Sequence, residues 1–309
     1  MMPASPFHSA GENIGPPKQE IYDGLMNLLA LPQQRLPIHS KILSSNLRKG
    51  VMIEEIQFES EPGIRIPGWF VTPSSGSRQR STVLYLADDG DAVVGEPGSM
   101  DRLLAAGHAV CTINLRGMGI AMPRLPKGGP HFYDGGFQLD ESFAWAGLVL
   151  GRPVIGQRVW DTLRAIDYLV SRSDVDPSQI RLLGKGGAGL AALMAGFLDK
   201  RPRSILVDQT LVSYASILES NDYSLKLAWF VPGILRRFDL PDLTVGLSPR
   251  PCWILNGVGP SGQVLSEASV REQYRHRLDQ PVSAFNNLRV LVSPEHETQT
   301  CYLKWLKNS

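Results

Sequence analysis

The sequence has few cysteines, no excess of either charge and no long apolar run. Three cysteines among 309 residues imply no disulfide framework, and Cys111 and Cys252 lie in apolar runs where a thiol behaves as a small hydrophobe. The 31 basic and 30 acidic residues nearly cancel, so the chain has no field to attract nucleic acid or anionic lipid. We therefore expect neither a nucleic-acid nor a membrane partner.

Residues 1–18 have neither the basic start and apolar stretch of a signal peptide nor an apolar run long enough to span a membrane. Residues 1–18 are rich in Pro, Gly, Ser and Ala, and we expect a flexible leader ahead of one domain over residues 19–309. Localisation stays open: cytoplasmic by default, or secreted if the chain is part of a longer precursor.

Apolar runs and helical patterns alternate along most of the chain, which predicts the α/β class. Residues 52–58 and 66–71 form an expected antiparallel hairpin around a Pro-Gly turn. The alternation beyond it predicts a mostly parallel central sheet with helices on both faces. The stretch 209–251 is irregular and aromatic, and we expect it to act as a lid that packs on the core or contacts a sugar or ester ligand.

A cluster of glycines follows the predicted strand 180–183 and precedes a small-residue helix over 189–198. This is typical of a nucleophile elbow, the G-x-S-x-G turn in which tiny neighbours let a central serine project above the sheet. Here Gly186 stands at the central position. Because glycine has no Oγ, no acyl-enzyme can form at this residue.

Three further motifs accompany the elbow: the turn Asn114–Gly119, the run Gly151–Asp161 ahead of the elbow strand, and the pair His296-Glu297 near the end. Over residues 50–309 the chain resembles the α/β-hydrolase superfamily, in its acetyl xylan esterase-like and dienelactone hydrolase-like branches. The resemblance implies an α/β-hydrolase fold, carbohydrate ester chemistry, and a nucleophile position left vacant at Gly186.

The same resemblance implies positions for the base and the acid of a triad. His296 follows the last strand, where the family's base lies. The loop 256–262, where the acid usually lies, contains no carboxylate. Asp208 follows the predicted strand 204–207, and it is either a substitute acid that orients His296 or an ordinary turn carboxylate.

Donors for an oxyanion are expected at two places. The backbone N–H of Gly187 is one, and the loop after strand 82–86 is the other. That loop carries Asp88 and Asp89, which would repel a developing oxyanion unless they point away. Arg116 is a candidate substrate contact, or alternatively an arginine that ties its turn to neighbouring carboxylates or carbonyls.

These residues support three hypotheses and leave open whether the chain is an enzyme. The first is a pseudoesterase with a ligand-binding or scaffolding role, alone or beside an intact hydrolase domain or partner, with a small ester or carbohydrate as ligand. The second is an active ester hydrolase in which His296, with Asp208, activates water in the space left at Gly186. The third is a purely structural module. We expect no cofactor and no metal, since the aspartates at 88, 89 and 91 match no metal-binding loop.

Overall fold

A computed structural model describes residues 18–74, 79–88, 98–122, 139–275 and 287–309. Residues 1–17, which hold nearly all of the expected leader, lie outside these ranges. The described α-helices are α1 (Lys18–Leu28), α2 (Ser99–Ala105), α3 (Leu139–Val149), α4 (Val154–Ser171), α5 (Ala188–Leu198), α6 (Ala215–Leu218), α7 (Leu240–Gly246), α8 (Glu267–Arg275) and α9 (Glu295–Lys307). None of the helices in this part of the chain is long and apolar enough to cross a bilayer.

The strands form one nine-stranded sheet. They are β1 (Ser40–Arg48), β2 (Val51–Glu61), β3 (Ile64–Pro73), β4 (Arg80–Leu86), β5 (Ala109–Ile113), β6 (Val175–Lys185), β7 (Ser204–Asp208), β8 (Cys252–Leu255) and β9 (Leu288–Leu291). Their order is β1-β2-β3-β5-β4-β6-β7-β8-β9. The first three strands pair antiparallel, β3 joins β5 antiparallel, and every later pairing is parallel. The expected mostly parallel sheet with an antiparallel opening is confirmed.

Strand β4 shows why the parallel part of the sheet is apolar on both faces. Successive side chains of a strand point to opposite faces. Leu84 and Leu86 pack in the cluster that includes residues of α4 and α5, whereas Val83 and Tyr85 pack in the cluster that includes residues of α2 and α9. Helices therefore cover both faces, and the ends of the parallel strands are left to form a site.

Three regions differ from the elements expected from the sequence. Strand β1 was not expected, since its residues are almost all exposed and show no apolar alternation. Strand β6 begins at Val175, within the stretch expected only to end the preceding helix. Between residues 209 and 251 the chain is not wholly irregular, because it contains α6, α7 and two short 3₁₀ helices. These elements are short or exposed, so the sequence patterns that mark burial are weak in them.

Candidate functional site

The turn between β6 and α5 is where the sequence places the elbow. Gly186 has φ +68°, a left-handed conformation that glycine adopts without the steric cost of a side chain. Its N–H donates to the Asp208 carbonyl (2.9 Å) and its carbonyl accepts from Gly189 (3.1 Å). A Cβ on Gly184 would lie 2.6 Å from the Gly189 Cα, so small residues are needed for α5 to approach its strand. The predicted strand-to-helix turn is present, and its glycines are explained by packing.

Asp88, two residues beyond β4, holds the N-terminal end of α5. Its Oδ1 accepts from the Ala188 N–H (2.7 Å) and its Oδ2 from the Gly187 N–H (3.0 Å). The first amides of a helix have no partner within the helix and carry its partial positive charge, so a carboxylate there is stabilising. A Cβ on Gly186 would lie 2.6 Å from Asp88 Oδ2. The space beside Gly186 is thus held by a carboxylate, and the Gly187 donor expected for an oxyanion is already engaged.

The electrostatic setting of Asp88 is mixed. Desolvation within the cleft raises the pKa of Asp88 above its ordinary value, while the two amide bonds and the charges of Lys226 and Arg158 oppose that rise. The residue nevertheless remains open to solvent. The pKa of Asp88 is therefore raised by desolvation, and its hydrogen bonds to the two amides limit that rise.

A cavity of about 360 Å³ opens beside the elbow, a volume within the usual range for small-ligand sites. Trp229 forms one wall and is 3% exposed. A Cβ on Gly187 would overlap the Trp229 indole nitrogen, so this tryptophan lies directly on the elbow. The lining residues are Asp88, Gly186, Gly187, Gln209, Leu211, Ser224, Leu225, Lys226, Trp229, Val258, Gly259, Pro260, Gly262 and Val264. Part of the stretch expected to be a lid therefore forms a wall of the cavity.

Arg158 supports that wall from behind. It is fully buried, and its guanidinium carbon lies 4.3 Å from the centroid of the Trp229 ring, a cation–π geometry. It donates to the Arg116 carbonyl (3.2 Å) and to the Asp140 carboxylate (2.5 Å). Trp229 is accordingly fixed between a buried cation and the elbow.

Asp208 ends β7 and is 1% exposed. It accepts a hydrogen bond from the Tyr302 hydroxyl (2.6 Å) and a longer one from Asn256 Nδ2 (3.3 Å). Burial raises the pKa of this carboxyl, and the hydrogen bonds from Tyr302 and Asn256 oppose the rise. Both of its oxygens therefore already have protein partners.

His296 lies in the first turn of α9, and its side chain is 79% exposed. Its Nε2 lies 3.6 Å from Glu297 Oε1. Among the described residues, no hydrogen bond or ion pair joins His296 to Asp208, and His296 is not part of the cavity lining. The fold thus brings Gly186, Gly187 and Asp88 together, whereas no such contact links His296 to them. Asp89 lies outside the described ranges.

Arg116 is 7% exposed and belongs to a network beside the turn that follows β5. Its Nη2 donates to Asp161 Oδ1 (2.6 Å) and its Nη1 to Glu61 Oε1 (2.7 Å). Its Nε also donates to Asp161 Oδ2 (3.2 Å). These contacts are those of an arginine that ties a turn to carboxylates, which is one of the two roles the sequence suggests.

Comparison with known proteins identifies relatives in sequence and neighbours in fold. No family model matches the chain. It is 23% identical over 248 residues to a protein of Bacillus subtilis (strain 168) named "Putative hydrolase YtaP", covering 76% of this chain and 78% of that one. An acetyl xylan esterase from Paenibacillus sp. R4 superposes with a TM-score of 0.62 at 18% identity, covering 96% of each chain. A glucuronoyl esterase from Solibacter usitatus does so with a TM-score of 0.63 at 15% identity, covering 94% of this chain and 91% of that one.

The chain has the α/β-hydrolase fold. In that fold the turn after β6 is an elbow with glycine at its centre, and the amides that follow it are bonded to Asp88. The arrangement can hold a carboxylate in a two-amide cradle. It offers no nucleophilic side-chain atom at Gly186.

The sequence indicated the turn at Gly186 but not which residues bond to Asp88 and Asp208. Asp88 was expected to repel a developing oxyanion unless it points away, but its bonds to the Gly187 and Ala188 amides were not foreseen. The link from Tyr302 to Asp208 spans 94 positions and leaves no local pattern. Trp229 was noted only as one of several aromatic residues in a lid. The link from Asp88 to the amides of α5 spans 99 and 100 positions and likewise leaves no local pattern.

Proposed function

We propose that this chain is an esterase-fold protein without serine catalysis, which binds a small ligand in the cavity at the elbow. One observation carries the proposal. Gly186 supplies no side-chain nucleophile, and the Asp88 carboxylate lies where such a side chain would extend, 2.6 Å from the position of a Cβ. The pseudoesterase hypothesis is thereby favoured over serine chemistry.

The electrostatics of acyl transfer support the same proposal. The reaction needs donors aimed at the oxygen that becomes negative in the transition state. Here the Gly187 and Ala188 amides, which follow the elbow, are engaged by Asp88. A carboxylate in that position would repel an oxyanion rather than stabilise it. A bound ester would therefore gain little stabilisation on the way to a tetrahedral intermediate.

The names of the structural neighbours suggest a ligand class. They are esterases named for acetyl xylan and glucuronoyl esters, so we propose a small molecule related to carbohydrate esters. A cavity of about 360 Å³ with one aromatic wall is compatible with a molecule of monosaccharide size. A scaffolding role beside an intact hydrolase domain or partner is compatible with the same features.

The rival proposal is an ester hydrolase in which His296, with Asp208, activates water. A general base must reach the proton that it removes, and the imidazole must be oriented by its acid. His296 is exposed beside Glu297, and the Asp208 oxygens accept from Tyr302 and Asn256. These contacts favour the non-catalytic proposal.

Hydrolysis of p-nitrophenyl acetate by the purified protein and by His296→Ala separates the two proposals. We expect both proteins to show the same rate, equal to the background hydrolysis of an unrelated folded protein. A rate above background that His296→Ala abolishes would establish the rival and overturn the non-catalytic proposal.

Gly186→Ser adds the missing hydroxyl and tests the rest of the machinery. We expect little or no gain in esterase activity, because triad members act as a unit and one restored member recovers little transition-state stabilisation. The matched variant is Gly186→Ser/Asp88→Ala, which also frees the two amides. A large, His296-dependent gain in either variant would show that base and acid are in working positions.

A further inference from the structure

The elbow already binds a carboxylate, and that carboxylate belongs to the chain itself. Asp88 places one oxygen on the Ala188 N–H and the other on the Gly187 N–H, at 2.7 and 3.0 Å. Adjacent amides at the start of a helix that lies against the sheet form a bidentate cradle for a planar carboxylate. The shape and polarity of this cradle are therefore those of a carboxylate site.

Trp229 provides an independent indication of a ligand. Its side chain is 3% exposed, it lines the same cavity, and its indole nitrogen lies against Gly187. Within the described part of the chain no acceptor is bonded to that indole N–H. An acceptor that enters the cavity would satisfy it.

Lys226 adds positive charge on the same side. It lines the cavity, it is exposed, and its charge acts on Asp88. Two amides, an indole N–H and an ammonium group thus surround the space that Asp88 borders. Each of these groups is a donor, which favours an anionic head group over a cationic one.

Asp88 is held in the cradle only by backbone amides. No side-chain donor among the described residues bonds to it, and it remains open to solvent. It can therefore rotate away from the cradle at the cost of two hydrogen bonds, which water or a ligand would replace. Such a group behaves as an internal competitor rather than as a permanent part of the core.

We propose that the elbow cavity is a binding site for a small organic carboxylate, whose head group replaces Asp88 on the Gly187 and Ala188 amides and accepts from Trp229 and Lys226. The aliphatic lining formed by Leu211, Leu225, Val258 and Val264 receives the body of the ligand. The inference rests on the proposed function, because it assumes that the elbow binds rather than reacts. It goes further by naming the head group and the residue that competes with it.

The test uses phenylacetate and its neutral counterpart phenylacetamide, which differ only in the carboxylate. Binding is measured by isothermal titration calorimetry to the full chain and to Asp88→Ala. The apparent affinity is the intrinsic affinity multiplied by the fraction of protein in which Asp88 has left the site. We therefore expect Asp88→Ala to bind phenylacetate about tenfold tighter or more than the parent. Phenylacetamide should bind weakly and equally to both proteins.

Two further variants locate the site. In the Asp88→Ala background, Trp229→Phe keeps the ring but removes the N–H, and Lys226→Gln removes the charge. Each should weaken phenylacetate binding several-fold and leave phenylacetamide unchanged. Asp176→Ala is the matched control, because Asp176 accepts from the Ser178 N–H and hydroxyl at the opposite end of β6; it should bind as the parent does.

Asp88→Leu keeps the shape of the side chain without a hydrogen-bond acceptor, and it replaces Asp88→Ala if the latter does not fold. Equal affinity of parent and Asp88 variants for phenylacetate overturns the proposal, as does equal binding of the amide and the acid. Insensitivity to both Trp229→Phe and Lys226→Gln overturns it as well. None of these outcomes bears on catalysis, whereas His296-dependent ester hydrolysis would overturn the proposed function, so the two failures are distinguishable.

Discussion

The two ends of α5 each have a carboxylate, and the two carboxylates have opposite surroundings. At the N-terminal end, the hydrogen-bond partners of the Asp88 carboxylate among the described residues are two backbone amides. At the C-terminal end Asp199 accepts from Arg201 Nη2 (2.6 Å) and Arg35 Nη1 (2.8 Å), and from the Arg201 N–H (2.9 Å). Burial alone would raise the pKa of both groups, but hydrogen bonds from the two arginines lower that of Asp199 to about 2. The pKa of Asp88 stays raised.

The difference separates a structural tie from an open site. Asp199 is 5% exposed, and its charge is matched by full cations, so its ionised form stabilises the fold. Asp88 is open to solvent and its partners are neutral dipoles, which bind any carboxylate of similar shape. The carboxylate at the C-terminal end of α5 is therefore a structural contact, whereas the one at the N-terminal end can be replaced by another carboxylate.

Asp199→Ala should have the largest effect on this comparison. It removes the acceptor shared by Arg35 and Arg201, and we expect a loss of about 3 kcal/mol in the free energy of unfolding. Because the folded pKa of Asp199 lies below its ordinary value of 3.8, its contribution is present above that value and is lost as pH falls through about 2. Urea denaturation from pH 7 to pH 3 should show that the difference in free energy of unfolding between parent and variant decreases as the pH falls. A constant difference would mean that the arginines do not stabilise the ionised carboxylate.

Gly186→Ser should have the next largest effect, a loss of about 2 kcal/mol. A side chain at φ +68° is strained by about 1 kcal/mol, and its Cβ would press on Asp88 Oδ2. The loss should shrink when Asp88→Ala is also present, since that variant removes the contact. Denaturation of the two single variants and the double variant measures this coupling. Additive losses would argue against contact between the two positions.

Asp88→Asn should cost about 1 kcal/mol or less, because asparagine caps helices nearly as well as aspartate. The informative part is the sign of its pH dependence. The folded pKa of Asp88 is raised, so its contribution is fully present below the ordinary pKa and declines as pH rises through the folded value. The stability of the parent relative to Asp88→Asn should therefore fall slightly with rising pH, opposite to the trend at Asp199. If stability changed with pH in the same direction at Asp88 and at Asp199, the two carboxylates would not differ in the way proposed.

His296→Ala should have the smallest effect, within about 0.5 kcal/mol of the parent, because exposed side chains without a network rarely contribute more. Its side chain is 79% exposed, and its ionic neighbour among the described residues is Glu297. Glu297→Gln is the matched variant and should be equally neutral in thermal denaturation. A loss above 1 kcal/mol in His296→Ala alone would indicate a buried role for the imidazole.

The parallel core and the elbow could be predicted because their signals are local. Apolar runs mark strands that are buried on both faces, and Gly184, Gly186 and Gly189 mark a turn that needs close packing. Strand β1 could not be predicted, because its pairing with β2 is made by the backbone while its side chains remain mostly exposed. The roles given to His296 and Asp208 came from the family resemblance and from their order along the chain, and they stay predictions.

The sequence by itself determined the class of fold, the position of the elbow and the absence of an oxygen at Gly186, because each of these is written in neighbouring residues. Only the tertiary structure decided which groups meet there. Asp88 and the Gly187 amide are 99 positions apart, and Tyr302 and Asp208 are 94 apart. Partners at such separations are brought together by the order in which parallel strands lie in the sheet, and a hydrogen bond between them has no period or spacing along the chain. The sequence therefore places a glycine at the centre of the strand-to-helix turn, and the fold places a carboxylate beside it.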